Sequence, residues 1–448
     1  VELHGKTVLV IGLRRTGVSV ARFVASRGGR VRIADRLSAA ALTQELESLS
    51  GLPLDMRLGR READADVVAG VDLVVPSPGV PMEAPLLREA GKQGVPIWSE
   101  IELAFRFLSC PVLAVTGTNG KSTTTSLLGE MVKQNGQRVF VGGNLGVPLI
   151  DAAMDRYDVA VAEVSSFQLE WVAQFRPRIG VFLNLTEDHL DRHKSLAVYG
   201  MTKRAMLTNQ KPSDWAVVNR DDPEVWSLAH GLPGKIFSFG WRPVAEGAWL
   251  ESGVMHIKRE GQTTSFPLDQ LRLHGRHNLE NVMAAASAAL LWGVRPDVIA
   301  SVLAAFTGLP HRLEFVAEKG GVRYFDDSKG TNVGAVVQSL ASFSGPVILL
   351  AGGVDKGGDY SPLRPLVHEK VKRLIVFGQA RALIHAALGG ETRTLIVETL
   401  ADAVKEAAAA ATPGDTVLLS PACASFDQFN NYAHRGEVFR ACVEELPV

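Results

Sequence analysis

The sequence predicts an α/β fold of parallel sheets flanked by helices, arranged as three consecutive domains. Short apolar runs alternate with helical stretches along the whole chain, the pattern of strand-helix-strand crossovers. Glycine-rich or polar turns follow several of these runs directly, where parallel sheets bind ligands. The 448 residues also exceed one domain at ~150 residues each, so about three are expected.

Composition sets the outer limits. With 47 basic and 48 acidic side chains the net charge is -1, which gives no bulk attraction to nucleic acid. Hydrophobic residues at 46% against 21% charged exclude a disordered or fibrous chain. Cys110, Cys423 and Cys442 lack any CxxC spacing, so neither a disulfide framework nor a sulfur-ligated zinc site is expected, and a reducing cytoplasm fits. The longest apolar stretch, 282–294, falls short of the ~18 to 20 residues a bilayer crossing needs. Near the N-terminus the arginines follow the first apolar run, opposite to a secretory signal. A cytoplasmic protein with no membrane span and no nucleic-acid partner is the expectation.

The first domain, 1–99, is expected to hold strands at 7–11, 31–34, 71–75 and near Ile97, with a helix after Thr16. Its turn Gly12-Leu-Arg-Arg-Thr-Gly17 is placed like a dinucleotide fingerprint, but Arg14 replaces the middle glycine that lets backbone approach a pyrophosphate. A nicotinamide oxidoreductase is thereby disfavoured, while Arg14 and Arg15 add charge suited to a diphosphate-bearing substrate.

The second domain, 100–308, reads as strands at 111–115, 139–141, 159–162 and 179–183, with a helix from Lys121. Residues 237–268 carry Gly and Pro punctuation and suggest a small antiparallel insertion. Between the first strand and helix lies Val115-Thr-Gly-Thr-Asn-Gly-Lys-Ser-Thr123. The amides of Gly117, Thr118, Asn119 and Gly120 and the positive helix end can cradle a phosphate. Lys121 can reach the outer phosphates, and Ser122 can hold Mg²⁺ beside Thr123. Because Val115 stands where the common P-loop has Gly or Ala, this is a variant loop.

Glu163 ends the strand 159–162, where a metal-bound nucleotide requires an oxygen ligand; a solvated strand-end carboxylate is the alternative. Residues 184–193, Asn-Leu-Thr-Glu-Asp-His-Leu-Asp-Arg-His, pack three carboxylates and two histidines together. A zinc protease is excluded because Leu190 occupies the place of the glutamate base. The segment suits a second divalent ion or a substrate contact through His189, with His193 facing solvent. Asn278 and Asn281 share a helix face and can bond a purine edge, or Asn278 can cap the helix.

The third domain, 309–448, is expected to carry strands at 322–325, 347–350, 374–377 and 416–419 and a helix at 400–411. Three polar turns follow strands: Asp326-Asp-Ser-Lys-Gly-Thr-Asn332, Gly352-Gly-Val-Asp-Lys356 and Ser420-Pro-Ala-Cys-Ala-Ser425. Together they imply a binding face, although Lys329 beside Asp327 alone reads as a surface ion pair.

In this order the segments resemble the Mur ligase family of peptidoglycan precursor synthesis, over nearly the whole chain. Thr116-Gly-Thr-Asn-Gly-Lys-Ser-Thr123, His277-Asn-Leu-Glu-Asn281, His311-Arg312 and Asp327-Ser-Lys-Gly-Thr-Asn332 are similar to signatures shared across the family. Glu163-Val-Ser-Ser-Phe-Gln-Leu-Glu170 and Ser420-Pro-Ala-Cys-Ala-Ser-Phe-Asp-Gln-Phe429 point to the branch that adds D-glutamate. The resemblance implies an N-terminal Rossmann-like domain for the UDP substrate, a central P-loop ATPase-like domain, and a C-terminal Rossmann-like domain for the amino acid. It further implies a monomer acting on small molecules, with ATP, two Mg²⁺ sites and an acyl-phosphate route with UDP-N-acetylmuramoyl-L-alanine and D-glutamate as substrates.

By the family pattern Lys121, Glu163, His189 and Lys203 serve catalysis. Ser122, Glu163, His189 and a carbamylated Lys203 serve the metals. Gly117 to Thr123 with Asn278, Asn281, Arg312, Asp327 and Lys329 bind the nucleotide. Arg15, Thr16, Asp35, Arg36, Gly79, Asn144 and His189 face the UDP substrate, and Thr331, Lys356, Ser425, Phe426 and Tyr432 receive D-glutamate. The alternatives are the family member that adds L-alanine to UDP-N-acetylmuramate and a nucleotide-dependent binding module without ligase chemistry. A folate polyglutamate synthase shares the central loop but lacks a UDP-binding N-terminal domain.

Overall fold

The computed structural model describes residues 2–59, 65–273 and 275–447. It is α/β, with three separate sheets. The first holds β1 (Thr7–Ile11), β2 (Arg30–Asp35), β3 (Leu54–Leu58) and β4 (Leu73–Pro76), all parallel in the order β3-β2-β1-β4. Central β1 is covered on both faces, Val8, Leu9 and Val10 being buried, as an apolar run in a parallel sheet requires. β3 was not expected from the sequence, because Leu-Asp-Met-Arg-Leu is a half-exposed edge without an apolar run. Ile97 forms an isolated parallel bridge to Val74 and no strand.

The second sheet contains β5 (Val112–Thr116), β6 (Val139–Gly143), β7 (Val159–Glu163), β8 (Ile179–Phe182), β9 (Trp215–Asn219), β10 (Lys235–Gly240), β11 (Gly247–Glu251), β12 (Val254–Arg259) and β13 (Gln262–Pro267). Its order is β13-β12-β11-β10-β9-β8-β5-β7-β6. The expected insertion is antiparallel only from β11 through β13, since β11 joins β10 in parallel and so extends the main sheet. Both hairpin turns place two consecutive residues at positive φ, Ser252-Gly253 and Glu260-Gly261, the backbone that matches the twist of the flanking strands.

The third sheet contains β14 (Glu314–Lys319), β15 (Val322–Asp326), β16 (Val347–Gly352), β17 (Val371–Phe377), β18 (Thr394–Ile396) and β19 (Thr416–Leu419). Its order is β14-β15-β19-β16-β17-β18, with only β14 antiparallel. Along β16, Val347, Leu349 and Ala351 enter one apolar layer while Ile348 and Leu350 enter the other, so helices cover both faces.

Contacts divide the chain into two compact units. One comprises Val1–Leu185, Arg192–Leu268 and Val282–Val302; the other Thr186–Asp191, Asp269–Asn281 and Leu303–Val448. The first unit contains two of the sheets, joined by a single apolar core that runs from Leu3 to Ala229. Arg27 donates to the Ala153 carbonyl at 3.0 Å, and Ser19 Oγ to Asp151 at 3.2 Å, across the same contact. The helix Glu100–Phe107, capped by Ser99, follows β4. Its buried Glu102 accepts the N–H groups of Ala173, Gln174 and Phe175 and pairs with Arg106.

In the second unit the buried Arg435 donates to Ser328 Oγ at 2.9 Å, Ser328 O at 2.8 Å and Cys423 O at 3.1 Å. It thereby ties the turn after β15 to the turn after β19. The cysteines are free: Cys110 is half-buried in the first unit, and in the second Cys423 is buried and Cys442 half-buried. Among the described residues no helix is long and apolar enough to cross a membrane.

Candidate active site

The first unit gathers its chemistry at the C-terminal ends of β5, β7 and β8. β5 ends at Thr116, and the helix Lys121–Gln134 begins after Gly117 to Gly120. Gly117 has φ 153°, and a Cβ there would press on the Leu183 side chain at 3.0 Å; Gly120 is left-handed at 81°. The first position favours glycine for the tight approach, the second for its backbone conformation. No side chain caps this helix, so its first amides form a cradle suited to an anion. Lys121 Nζ folds back on the loop, donating to Gly117 O at 3.0 Å and Thr118 O at 2.8 Å.

Beside the loop, Ser122 Oγ donates to Glu163 Oε2 at 2.5 Å, and Asn144 Nδ2 donates to Glu163 Oε1 at 2.6 Å. The register that pairs Val115 with Glu163 brings the hydroxyl and carboxylate together. Gly143, at φ 94°, lets its strand run against the Glu163 backbone where a Cβ would collide. A hydroxyl and a carboxylate are hard oxygen donors of the kind Mg²⁺ takes, so the residues present fit a nucleotide with its divalent ion.

Lys203 is no surface lysine. It is 1% exposed, its Nζ donates to Gly117 O at 2.8 Å and sits 4.5 Å from the Tyr199 ring centroid. The helix Leu196–Arg204 turns this face inward beneath the loop. His193 also departs from expectation: it is buried, 3.0 Å from Ser166 Oγ, with the rings of Phe167 and Tyr199 beside it. Those aromatic neighbours exclude the solvent it was expected to face.

Asn184 was missed by the sequence reading. Its Oδ1 accepts the Asn119 N–H at 2.8 Å, its Nδ2 donates to Asn119 O at 3.1 Å, and its carbonyl accepts the Thr118 N–H at 3.0 Å. One side chain thus mimics a strand partner for the loop. The only signal available was its place at the end of an apolar strand.

At the ends of β1, β2 and β4, Gly12, Asp35, Arg36 and Gly79 line a cavity of about 160 Å³. Asp35 holds the turns around it by accepting the Leu13 and Leu37 N–H groups. Arg15 and Thr16 are not among the lining residues. Arg14 pairs with Glu45 at 2.5 Å, and Arg15 donates to the Gly146 carbonyl at 2.5 Å, on the loop that carries Asn144.

In the second unit His189, Thr331 and Lys356 line one cleft of about 400 Å³, together with Asp188 and Asp355. His189 is left-handed at φ 55°, its Nε2 3.6 Å from Asp188. Asn332 caps the helix Val333–Ala341 and donates its other amide group to Asp188 at 3.1 Å, so the cleft's two walls are linked. Ser425, Phe426 and Tyr432 do not line this cleft: Ser425 is buried, Phe426 is 74% exposed, and Tyr432 lies beneath Lys329, whose Nζ is 3.7 Å from its ring centroid.

Lys329 therefore rests on an aromatic face, and the Asp327–Lys329 surface pair does not form. Asp327 points inward, accepting Ser339 Oγ at 2.6 Å and Ser420 Oγ at 2.7 Å, and burial pushes it up to about 6. His311 Nδ1 donates to the Asp326 carboxylate at 2.7 Å, a bond that raises its affinity for a proton. Asn278 sits inside the first turn of the helix Arg276–Trp292, not at its cap, and its Oδ1 accepts Asn281 Nδ2 at 3.2 Å. Next to it, burial and then the Arg312 charge push His277 down to about 4, which keeps it neutral.

Family models match along the chain: a Mur ligase MurD-like N-terminal domain over 6–99, a Mur ligase middle domain over 115–289, and a Mur ligase, glutamate ligase domain over 311–423. The UDP-N-acetylmuramoylalanine--D-glutamate ligase of Geobacter metallireducens is 46% identical, covering 99% of this chain and 98% of that protein. The ligase of the same name from Trichlorobacter lovleyi is 47% identical over 99% of this chain and all of its own length. Among solved structures, a pseudomurein peptide ligase type C from Methanothermus fervidus superposes with a TM-score of 0.61 at 19% identity, covering 99% and 100% of the two chains. The UDP-N-acetylmuramate-alanine ligase of Thermotoga maritima gives 0.60 at 18% identity, covering 98% and 99%; both likenesses are of fold. With identity of this level over essentially the full length of its relatives, the chain belongs to the Mur ligase family.

Proposed function

We propose that this protein couples ATP hydrolysis to the joining of D-glutamate to UDP-N-acetylmuramoyl-L-alanine, a step of peptidoglycan precursor synthesis. The 46% identity to a ligase of that name, over 99% of the chain, carries the reading. A carboxylate is a poor acylating agent, so the γ-phosphoryl group of ATP first converts the L-alanyl carboxylate to an acyl phosphate. The D-glutamate amine attacks the acyl carbon, and the tetrahedral intermediate expels phosphate to leave the amide and ADP. Catalysis then consists of positioning and of offsetting phosphate charge.

In this reading Gly117 to Thr123 hold the phosphates, Lys121 turns from the loop carbonyls to neutralise them, and Asn278, Asn281, Arg312, Asp327 and Lys329 serve the nucleotide. Ser122, Glu163, His189 and Lys203 hold two Mg²⁺ ions, which when bound neutralise phosphate oxygens and orient them. Lys203 serves as a carbamate: an ammonium repels a metal ion, whereas the carbamate reverses the sign and offers oxygen ligands. Arg15, Thr16, Asp35, Arg36, Gly79, Asn144 and His189 receive the UDP substrate. Lys356 pairs with a D-glutamate carboxylate, alongside Thr331, Ser425, Phe426 and Tyr432. Domains 1–99, 100–308 and 309–448 take the UDP substrate, ATP and the amino acid respectively, in a cytoplasmic monomer.

The test is product analysis with each candidate amino acid. Phosphate and amide should form only when UDP-N-acetylmuramoyl-L-alanine and D-glutamate are both present. Equal turnover of UDP-N-acetylmuramate with L-alanine, or nucleotide binding with no amide formed, overturns the reading.

A further inference from the structure

The loop carrying Lys356 leaves β16 through Gly352-Gly353 and continues through Gly357-Gly358. Flanked by four glycines, its backbone has little stiffness of its own. Backbone bonds fasten its start: Gly352 N to Pro421 O at 3.0 Å, Ala380 N to Gly353 O at 2.8 Å, Val354 N to Ala424 O at 2.8 Å and Ala424 N to Val354 O at 2.9 Å. Beyond Val354 the anchor is the Asp355 side chain. One carboxylate oxygen accepts the Gly357 N–H at 2.8 Å, closing a local turn around Lys356; the other accepts the Tyr360 hydroxyl at 2.8 Å. Tyr360 itself is 4% exposed, packed in the apolar layer with Leu363 and Val367, and its hydroxyl lies 3.2 Å from the buried Cys423 sulfur. Burial and the neighbouring thiol keep the phenol protonated, so its O–H is a permanent donor.

We propose that Tyr360 is a positioning residue for the amino-acid site, its hydroxyl fixing the Lys356 loop through Asp355. This rests on the reading of the cleft as the D-glutamate site. The core-bound ring supplies the rigidity that the glycines withhold. Because Cys423 and Ala424 belong to the turn that also carries Ser425, the same contacts hold the Lys356 loop in register with that turn.

Steady-state kinetics of Tyr360→Phe, Asp355→Ala and the double variant test this. Removing only the hydroxyl should raise the KM for D-glutamate about tenfold, the usual effect of one lost hydrogen bond to a charged group. The KM values for ATP and UDP-N-acetylmuramoyl-L-alanine should stay within about twofold, and kcat within about threefold. The double variant should be no worse than Asp355→Ala, since both changes break one link. An unchanged D-glutamate KM in folded single variants, a parallel rise in all three KM values, or additive effects in the double variant overturns the proposal. If the parent protein makes no amide from D-glutamate, the functional reading fails first, and visibly so before any substitution.

Discussion

Ser122 and Glu163 stand 41 residues apart yet meet at 2.5 Å, and both were legible in the sequence because a glycine turn and a strand-end carboxylate obey local rules. Asn184, Lys203, His193 and Asp327 were less legible, because what they do depends on which distant surface covers them. If Lys121 offsets phosphate charge, Lys121→Ala should lower amide formation ~100-fold or more while calorimetric binding of the UDP substrate persists. Loss of both would refute the separation of the two functions. Asn184→Ala removes the amide pairing that shapes the loop and should raise the KM for ATP roughly tenfold, leaving that for D-glutamate unchanged. Glu100, buried at the start of its helix and accepting the Ile150 N–H at 2.6 Å, is pushed up to about 7 by burial. Its folded-state value exceeds its ordinary 4.5, so its stabilising contribution is complete below that pH and is lost as pH rises through about 7. Glu100→Gln, which cannot ionise, should melt above the parent at pH 8, by up to ~3 kcal/mol in stability, with the gap closing toward pH 5. A gap that does not change with pH would mean the carboxyl is not the source.

At the level of whole elements, the buried apolar strands β1, β5, β7, β8, β16, β17 and β19 were readable because a strand covered on both faces must be apolar throughout. β3 and β14 were hidden by the opposite circumstance: they lie at sheet edges, where polar residues are tolerated and no periodic signal is forced. The helix Glu100–Phe107 shows how one side chain can fix a whole segment. Glu102 gathers the amides of residues 173–175, of which that of the buried Phe175 would otherwise lack an acceptor. Glu102→Ala should therefore destabilise the protein by ~3 to 5 kcal/mol in urea unfolding, and a loss under ~1 kcal/mol would show that water replaces the carboxylate.

For the molecule as a whole, the sequence anticipated three sheets, whereas packing groups two of them around one core. The chain at Ser99 reads as a boundary, but the apolar faces of the helices Arg15–Ser26 and Glu100–Phe107 share that core, which local patterning does not reveal. Hydrogen exchange under rising denaturant should accordingly expose β1 and β2 together with β5 and β7. Earlier release of the first sheet would show that the shared core does not couple them. The three thiols offer a practical handle on the two units. Cys110 belongs to one and Cys442 to the other, each half-buried with burial raising its thiol, while Cys423 is sealed and pushed up to about 11. Mildly alkaline maleimide should accordingly modify Cys110 and Cys442 in the native chain and spare Cys423, which gives each unit its own reporter of local unfolding without any engineered attachment point.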